Sequence, residues 1–214
     1  MRTFADQIDS GGASLEEIVE GALAASEPER GLRWLDIGCG RGDLLRAIRD
    51  RWSPSELHGL DPIDWLAEDL RADVSFLGEA AEQAQLPTVD RVLLIETIEH
   101  LEAPWTTLRK AARAVAPGGR IVVSTPNLAT LRTRLELALR GNLTSFRPGY
   151  EPHISPALPH VTTRILGEEG LTVGAPEYAG ADVISLSGGR VWPESVRARF
   201  PELLSVSVLI AGDR

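Results

Sequence analysis

A chain of 214 residues can bury one sizeable core but is too short for two domains of ordinary size. Its 31 acidic residues against 22 Lys and Arg leave a net charge of −9, which argues against broad binding to nucleic acid, where affinity comes from neutralised phosphates. No stretch approaches the ~20 apolar residues of a membrane span, residues 1–30 hold no apolar leader, and the lone Cys39 excludes an intrachain disulfide, so a cytoplasmic setting is expected.

In chain order, Leu15, Ile18, Val19 and Leu23 predict a helix over residues 14–26 with Ser14 as N-cap. A strand at 33–37 breaks into Gly38-Cys39-Gly40-Arg41-Gly42, and Leu44, Leu45 and Ile48 mark one face of a helix over 43–52 that Pro54 stops. Strand two, 56–60, ends in Asp61-Pro62; a helix at about 63–71 then leads to strand three, 74–77, and to Gly78-Glu79-Ala80 beyond it. Strand four, 90–95, is an apolar run suited to burial on both faces. A helix begins at Ala103-Pro104-Trp105 and stops at Pro117-Gly118-Gly119, and strand five, 120–124, runs into Thr125-Pro126-Asn127. Leu128, Leu131, Leu135 and Leu139 predict a helix over 128–140, and the segment from Gly141 to Pro159 is too long for a bare connection, as an acceptor lid would be. A helix at 161–170, a strand at 171–173, a short helix at 193–200 and a β-rich run at 203–211 complete the reading. Such alternation implies an α/β fold with a parallel sheet and right-handed crossovers.

The glycine turn after strand one carries the most chemistry. Glycine admits positive φ and removes the Cβ atoms that would keep a ligand from the main chain, and the helix that follows offers unpaired N–H groups. A dinucleotide loop needs a third glycine where this chain has Asp43. Asp36, just ahead of the turn, would repel a pyrophosphate but suits the ammonium of an amino-acid-like ligand. Asp61, at the neighbouring strand end, can accept hydrogen bonds from ribose hydroxyls.

Asp36-x-Gly38-x-Gly40-x-Gly42 resembles motif I of the class I S-adenosylmethionine-dependent methyltransferases. Asp61, Gly78-Glu79-Ala80, Glu96-Thr97-Ile98-Glu99-His100-Leu101, Ala116-Pro117-Gly118-Gly119-Arg120 and Ser124-Thr125-Pro126-Asn127 follow in that family's order. The resemblance covers residues 33 to about 127 well and the remainder loosely. It implies a Rossmann-like, doubly wound, mostly parallel seven-stranded sheet with helices on both faces, in one methyltransferase domain over 1–214. Within it, 1–30 would be a helical lead-in, 31–127 the cofactor-binding core, 128–170 the acceptor-side helix, loop and cap, and 171–214 the last strands. The implied cofactor is S-adenosylmethionine, with S-adenosylhomocysteine as product. Asp36 and the turn of Gly38, Cys39, Gly40 and Gly42 would hold its methionine part, Asp61 the ribose, and Glu79 with Ala80 the adenine edge, with Pro62 also among the cofactor-binding residues. The backbone at Glu96 and Thr97 would lie against it. Family members often carry Asp where this chain has Glu79, which leaves that contact open.

A sulfonium methyl is already activated, so much of the catalysis is alignment, with a base helping a hydroxyl acceptor. Base candidates are His100, His153, His160, Glu96 and Tyr150, with His153 favoured because Pro152-His153-Ile154 falls where such folds recognise acceptors. No residue is assigned to a metal in this reading. In a second reading, Glu96-x-x-Glu99-His100 binds a divalent cation. The small-RNA 3′-end methyltransferases and the ubiquinone-pathway O-methyltransferases show a similar Glu-x-x-Glu-His run, in some completed by a later His, here His153 or His160. Arg132, Arg134, Arg140 and Arg147 against Glu136 form either a solvated face or a contact for an anionic acceptor. The expected activity is O-methylation of a small molecule or a glycan or sugar precursor. The alternatives are metal-dependent RNA 2′-O-methylation and a non-catalytic cofactor-binding module. The expected partner is thus a small-molecule or glycan acceptor, no nucleic acid is expected, and oligomeric state is left open.

Overall fold

Period-two burial along the central strands builds a core on each side of one sheet. In the computed structural model, which describes residues 12–147, 149, 152–181, 183–184 and 190–214, Leu35, Ile37, Val92, Leu94, Ile121 and Val123 pack on one face. Trp34, Leu93, Val122 and Leu209 pack on the other.

Strands β1 (Arg33–Ile37), β2 (Glu56–Leu60), β3 (Ser75–Leu77), β4 (Val89–Leu94) and β5 (Val115–Pro126) pair in parallel in the order β3-β2-β1-β4-β5. On the first face, helices α3 (Pro104–Ala114) and α5 (Pro159–Glu168) supply Leu108, Ala111, Ile165 and Leu166. On the second, α1 (Gly12–Ala25) and α2 (Asp43–Trp52) supply Ala22, Leu23, Leu44, Leu45 and Ile48. Helix α4 (Leu131–Arg140) follows β5, with the Thr130 hydroxyl accepting from Thr133 N–H at its start and Gly141 (φ 72°) ending it.

The sheet has eight strands rather than the expected seven. The last strand, β10 (Ser205–Asp213), runs antiparallel to β5, and its outer edge is shared by β6 (Thr172–Val173) and β7 (Glu177–Ala181). Gly174 and Pro176 fall between these two, and proline has no N–H for a ladder, so one strand position becomes two short pieces. The sequence reading passed over β7 and the separate ribbon of β8 (Val183–Ile184) and β9 (Arg190–Val191). Short helices α6 (Glu194–Arg199) and α7 (Pro201–Leu204) precede β10.

The helix expected at 63–71 is absent; only a 3-10 turn at Glu68–Leu70 forms there. Ala67 N–H donates to the Arg41 carbonyl, so a donor that a helix there would use internally is tied to the glycine turn instead. Leu66 and Leu70 then plug the space beneath Gly42. Helix α1 begins at Gly12, two residues ahead of Ser14, whose side chain lies outside the described residues.

A buried carboxylate and a histidine cluster at the carboxyl ends of the strands

Parallel strands leave their connecting loops at one end of the sheet, where doubly wound folds bind ligands. Gly38 and Cys39 N–H donate to the Leu60 carbonyl at 2.7 and 3.1 Å, stitching the exit of β1 to that of β2. Gly40 N–H donates to one Asp61 carboxylate oxygen at 3.1 Å and Ile63 N–H to the other at 3.0 Å.

The three glycines do different jobs. A Cβ on Gly38 (φ 82°) would run into Thr97, and one on Gly42 (φ 84°) into Leu70 and Leu66, so both are set by packing. A Cβ on Gly40 (φ 50°) would meet nothing within 4 Å, which leaves this the open side of the turn. Gly38→Ala is expected to cost roughly 2–4 kcal/mol, from αL strain plus displacement of Thr97, read as a fall in melting temperature.

Asp36 is 3% exposed, and among the described residues no hydrogen bond or ion pair meets its carboxylate. Burial first, and the nearby Asp61 charge second, push its pKa up to about 7. A buried acid with no partner is costly unless a ligand supplies one, and an ammonium group does so by charge and by hydrogen bonds. Cys39 is buried with its thiol pKa pushed up by burial, and Gly59 leaves room for its sulfur, so it packs as expected. Pro62 and Glu79 are exposed and Ala80 is half-buried on the loops leaving β2 and β3.

The second cluster forms where β4 ends. Glu96 takes φ 48°, and its N–H donates to Ser124 Oγ at 2.8 Å. The Ser124 and Ser207 hydroxyls both donate back to Glu96 Oε1, at 2.7 and 2.6 Å. Beyond it a 3-10 turn, Ile98–His100, presents Glu99 and His100. Glu99 is wholly buried, neither carboxylate oxygen has a hydrogen bond among the described residues, and burial with the Glu96 charge holds its pKa well above the usual range.

The His100 ring nitrogen Nδ1 lies 2.8 Å from the Pro152 carbonyl. A carbonyl only accepts, so Nδ1 carries the proton and Nε2 keeps its lone pair, 4.0 Å from Glu99 Oε1. Although 53 positions away, His153 sits edge-on to His100 with ring centroids 4.8 Å apart, and Phe146 flanks it at 5.4 Å. Backbone zipping brings them together: Ile154 and Ser155 N–H donate to the Glu99 carbonyl at 2.9 and 3.0 Å, and Ser155 Oγ to the Leu101 carbonyl at 2.6 Å. One donor atom each from Glu99, His100 and His153 lie within 4.8 Å of one another. Burial and His100 lower the His153 pKa to about 4, and burial lowers that of His100, so both imidazoles are neutral near pH 7.

Of the other candidates, Glu96 is held by the serines rather than joining the three, His160 is exposed at the start of α5, and Tyr150 lies outside the described residues. The serine pair went unforeseen. Ser124 lies within a quoted motif, but Ser207 is 111 positions from Glu96 and nothing local marks it. Arg134 pairs with Glu202 at 2.8 Å and Arg140 with Glu136 at 3.7 Å.

The sequence model of the methyltransferase-domain family matches residues 13–173. Among curated proteins, the "Ubiquinone biosynthesis O-methyltransferase" of Rhizobium rhizogenes is 30% identical over 159 residues, covering 70% of this chain and 63% of that protein. The mitochondrial protein of that name from Homo sapiens is 28% identical over 165 residues, covering 69% of this chain and 43% of its own length. The chain thus spans about half the length of the curated relatives it matches. Among solved structures, an S-adenosylmethionine-dependent methyltransferase from Archaeoglobus fulgidus superposes with a TM-score of 0.62 at 19% identity, covering 92% of this chain and 91% of that one. The N-methyltransferase NodS of Bradyrhizobium japonicum, solved with S-adenosyl-L-homocysteine, gives 0.63 at 16% identity, covering 97% and 90%. With the methyltransferase-domain match over most of its length, and with the glycine turn, Asp36 and Asp61 gathered at the strand ends of this fold, the chain belongs to the class I S-adenosylmethionine-dependent methyltransferases.

Proposed function

We propose that this methyltransferase places its methyl group on a hydroxyl oxygen of a small molecule, beside a divalent-cation site made by Glu99, His100 and His153. One observation carries the reading: a fully buried carboxylate with no hydrogen bond at either oxygen faces an imidazole whose lone pair is fixed toward it by the Pro152 carbonyl. A carbonyl holding the far nitrogen of a ligating histidine is the usual support of a metal site. Carboxylate with two imidazoles is a donor set for manganese, zinc, iron or a partly hydrated magnesium ion. The names of the curated relatives, O-methyltransferases of ubiquinone biosynthesis, support oxygen as the acceptor atom.

Asp36 would pair with the cofactor ammonium, Asp61 would accept from its ribose, and the open side of the turn at Gly40 would let it approach the main chain. Pro62, Glu79 and Ala80 would border the adenine end from the β2 and β3 loops. S-adenosylmethionine supplies an electrophilic sulfonium methyl, and a divalent cation supplies a Lewis acid that lowers the pKa of a hydroxyl. His153, with a pKa near 4, is a weak base toward a phenol or sugar hydroxyl but a ready ligand, so its favoured role becomes ligation together with His100. Glu96 is fixed beside the pocket by Ser124 and Ser207, whose hydroxyls oppose the upward push that burial gives its carboxyl pKa. RNA as acceptor is disfavoured by the net charge of −9.

The test is calorimetric titration of the metal-free protein with Mn²⁺ and Mg²⁺, and S-adenosylhomocysteine release over a panel of catechols, phenols and sugar nucleotides. One saturable cation site is expected, and chelation should lower turnover by about 100-fold. No heat from either ion, with turnover indifferent to chelator, rejects the cation; turnover only on sugar nucleotides narrows the acceptor to glycan precursors.

A further inference from the structure

The apolar rows of the sheet give way to hydroxyls beside Glu96. In β5, Val122 packs on the face that takes α1 and α2, and Ser124 follows two residues later on that same face. In the antiparallel β10, Leu209 packs there too, paired in register with Ser124, and Ser207 stands two residues before it. Both serines are wholly buried, at the end of the sheet that carries the glycine turn and the histidine cluster. Buried hydroxyls need partners. These two converge on one atom, Glu96 Oε1, at 2.7 and 2.6 Å, with the Thr125 carbonyl a longer second acceptor for Ser207 at 3.2 Å. Ser124 Oγ also accepts from Glu96 N–H at 2.8 Å, so main chain and side chain of Glu96 are clamped together. A glutamate at φ 48° is held against its own preference, and persists only where its surroundings over-determine it.

The clamp leaves one atom out. Among the described residues Glu96 Oε2 takes no hydrogen bond, and Glu96 is half-buried where Glu99 is closed over. The Glu96 charge is nonetheless felt at Glu99, three residues on. A divalent cation placed at Glu99 would feel that same field, and more strongly, since the attraction grows with charge. Glu99 with two neutral imidazoles supplies one negative charge against two positive ones, and net charge in a pocket poor in water is costly. A second carboxylate, set beside the first, removes that imbalance.

We propose that Ser124 and Ser207 are positioning residues of the cation site: they clamp Glu96 through one oxygen so that the other faces the water carried by a cation on Glu99, His100 and His153. This role rests on the cation reading given above. The test is Mn²⁺ binding to the metal-free full chain, followed by the paramagnetic resonance of the free ion, in the natural protein and in Ser207→Ala, Glu96→Gln and their double variant. Each single substitution should weaken Mn²⁺ about tenfold, with S-adenosylhomocysteine affinity within about twofold of the natural protein. Added to Glu96→Gln, Ser207→Ala should cause no further loss, because its hydroxyl acts only through that carboxylate. Ser124→Ala probes the same clamp from β5 where Ser207→Ala is too unstable to titrate. A merely structural serine would lower the melting temperature and leave Mn²⁺ affinity alone, or would add its full effect to that of Glu96→Gln; either result overturns the proposal. A natural protein that binds no Mn²⁺ rejects the cation reading and this role with it, whereas natural binding with unchanged variants rejects the role alone.

Discussion

Asp36→Asn should weaken S-adenosylhomocysteine binding by roughly 100-fold while making the unliganded protein more stable, a pairing that follows from a buried acid awaiting a cation. The folded-state pKa of about 7 lies above the unfolded value near 4, so the folded protein binds the extra proton between those limits. Stability therefore falls as pH rises through that window and levels off above about 7, where the folded carboxylate is ionised. An amide of the same shape escapes this loss, and a gain on the order of 2–4 kcal/mol is expected at about pH 8, read by denaturant unfolding of both proteins. Ligand binding has the opposite sense. The ammonium selects the ionised form, so affinity of the natural protein should drop about tenfold between about pH 8 and about pH 6, with proton release seen in buffers of different ionisation enthalpy. A flat affinity profile, or an Asn variant that binds normally, removes Asp36 from the cofactor site.

Glu99→Gln should abolish cation binding and lower methyl transfer by about 100-fold, while leaving cofactor affinity within about twofold of the natural protein. Without metal, burial and the Glu96 charge push the Glu99 carboxyl toward its neutral form, which the amide matches in size. Its raised folded pKa means that stability declines as pH climbs above the unfolded value, and the Gln variant lacks that decline. The natural protein should gain about 2.7 kcal/mol at a cation concentration 100 times its dissociation constant, and the variant nothing. Cation binding must displace the Glu99 proton, so affinity should rise with pH, whereas the neutral His100 and His153 impose no proton competition near pH 7. A Gln variant that still shifts its melting temperature with Mn²⁺ places the cation elsewhere.

The cofactor end was legible in sequence because its parts are local. A strand, three glycines and a helix start lie within 33–52, and parallel pairing must bring Asp61 beside them, as Asp36↔Gly59 and Ile37↔Leu60 show. The helix expected at 63–71 failed for a tertiary reason: the Arg41 carbonyl captures the Ala67 N–H, and Leu66 and Leu70 fill the room that Gly42 vacates. The eighth strand was hidden because the Gly174 to Pro176 break separates two pieces whose common partner, β10, lies some thirty positions later.

What the sequence determined by itself is the doubly wound fold and the methyl donor, since strand alternation, turn glycines and acids at strand ends act over a few neighbouring residues. Tertiary structure alone decided which histidine meets Glu99 and His100, because the choice between His153 and His160 rests on the backbone of 154–155 zipping onto the Glu99 carbonyl. It also decided that Glu96 is held by Ser124 and Ser207, residues 28 and 111 positions away. The same holds for the leucines of α4: their spacing predicts a helix, and only packing shows that Leu131, Leu135 and Leu139 stay outside the core.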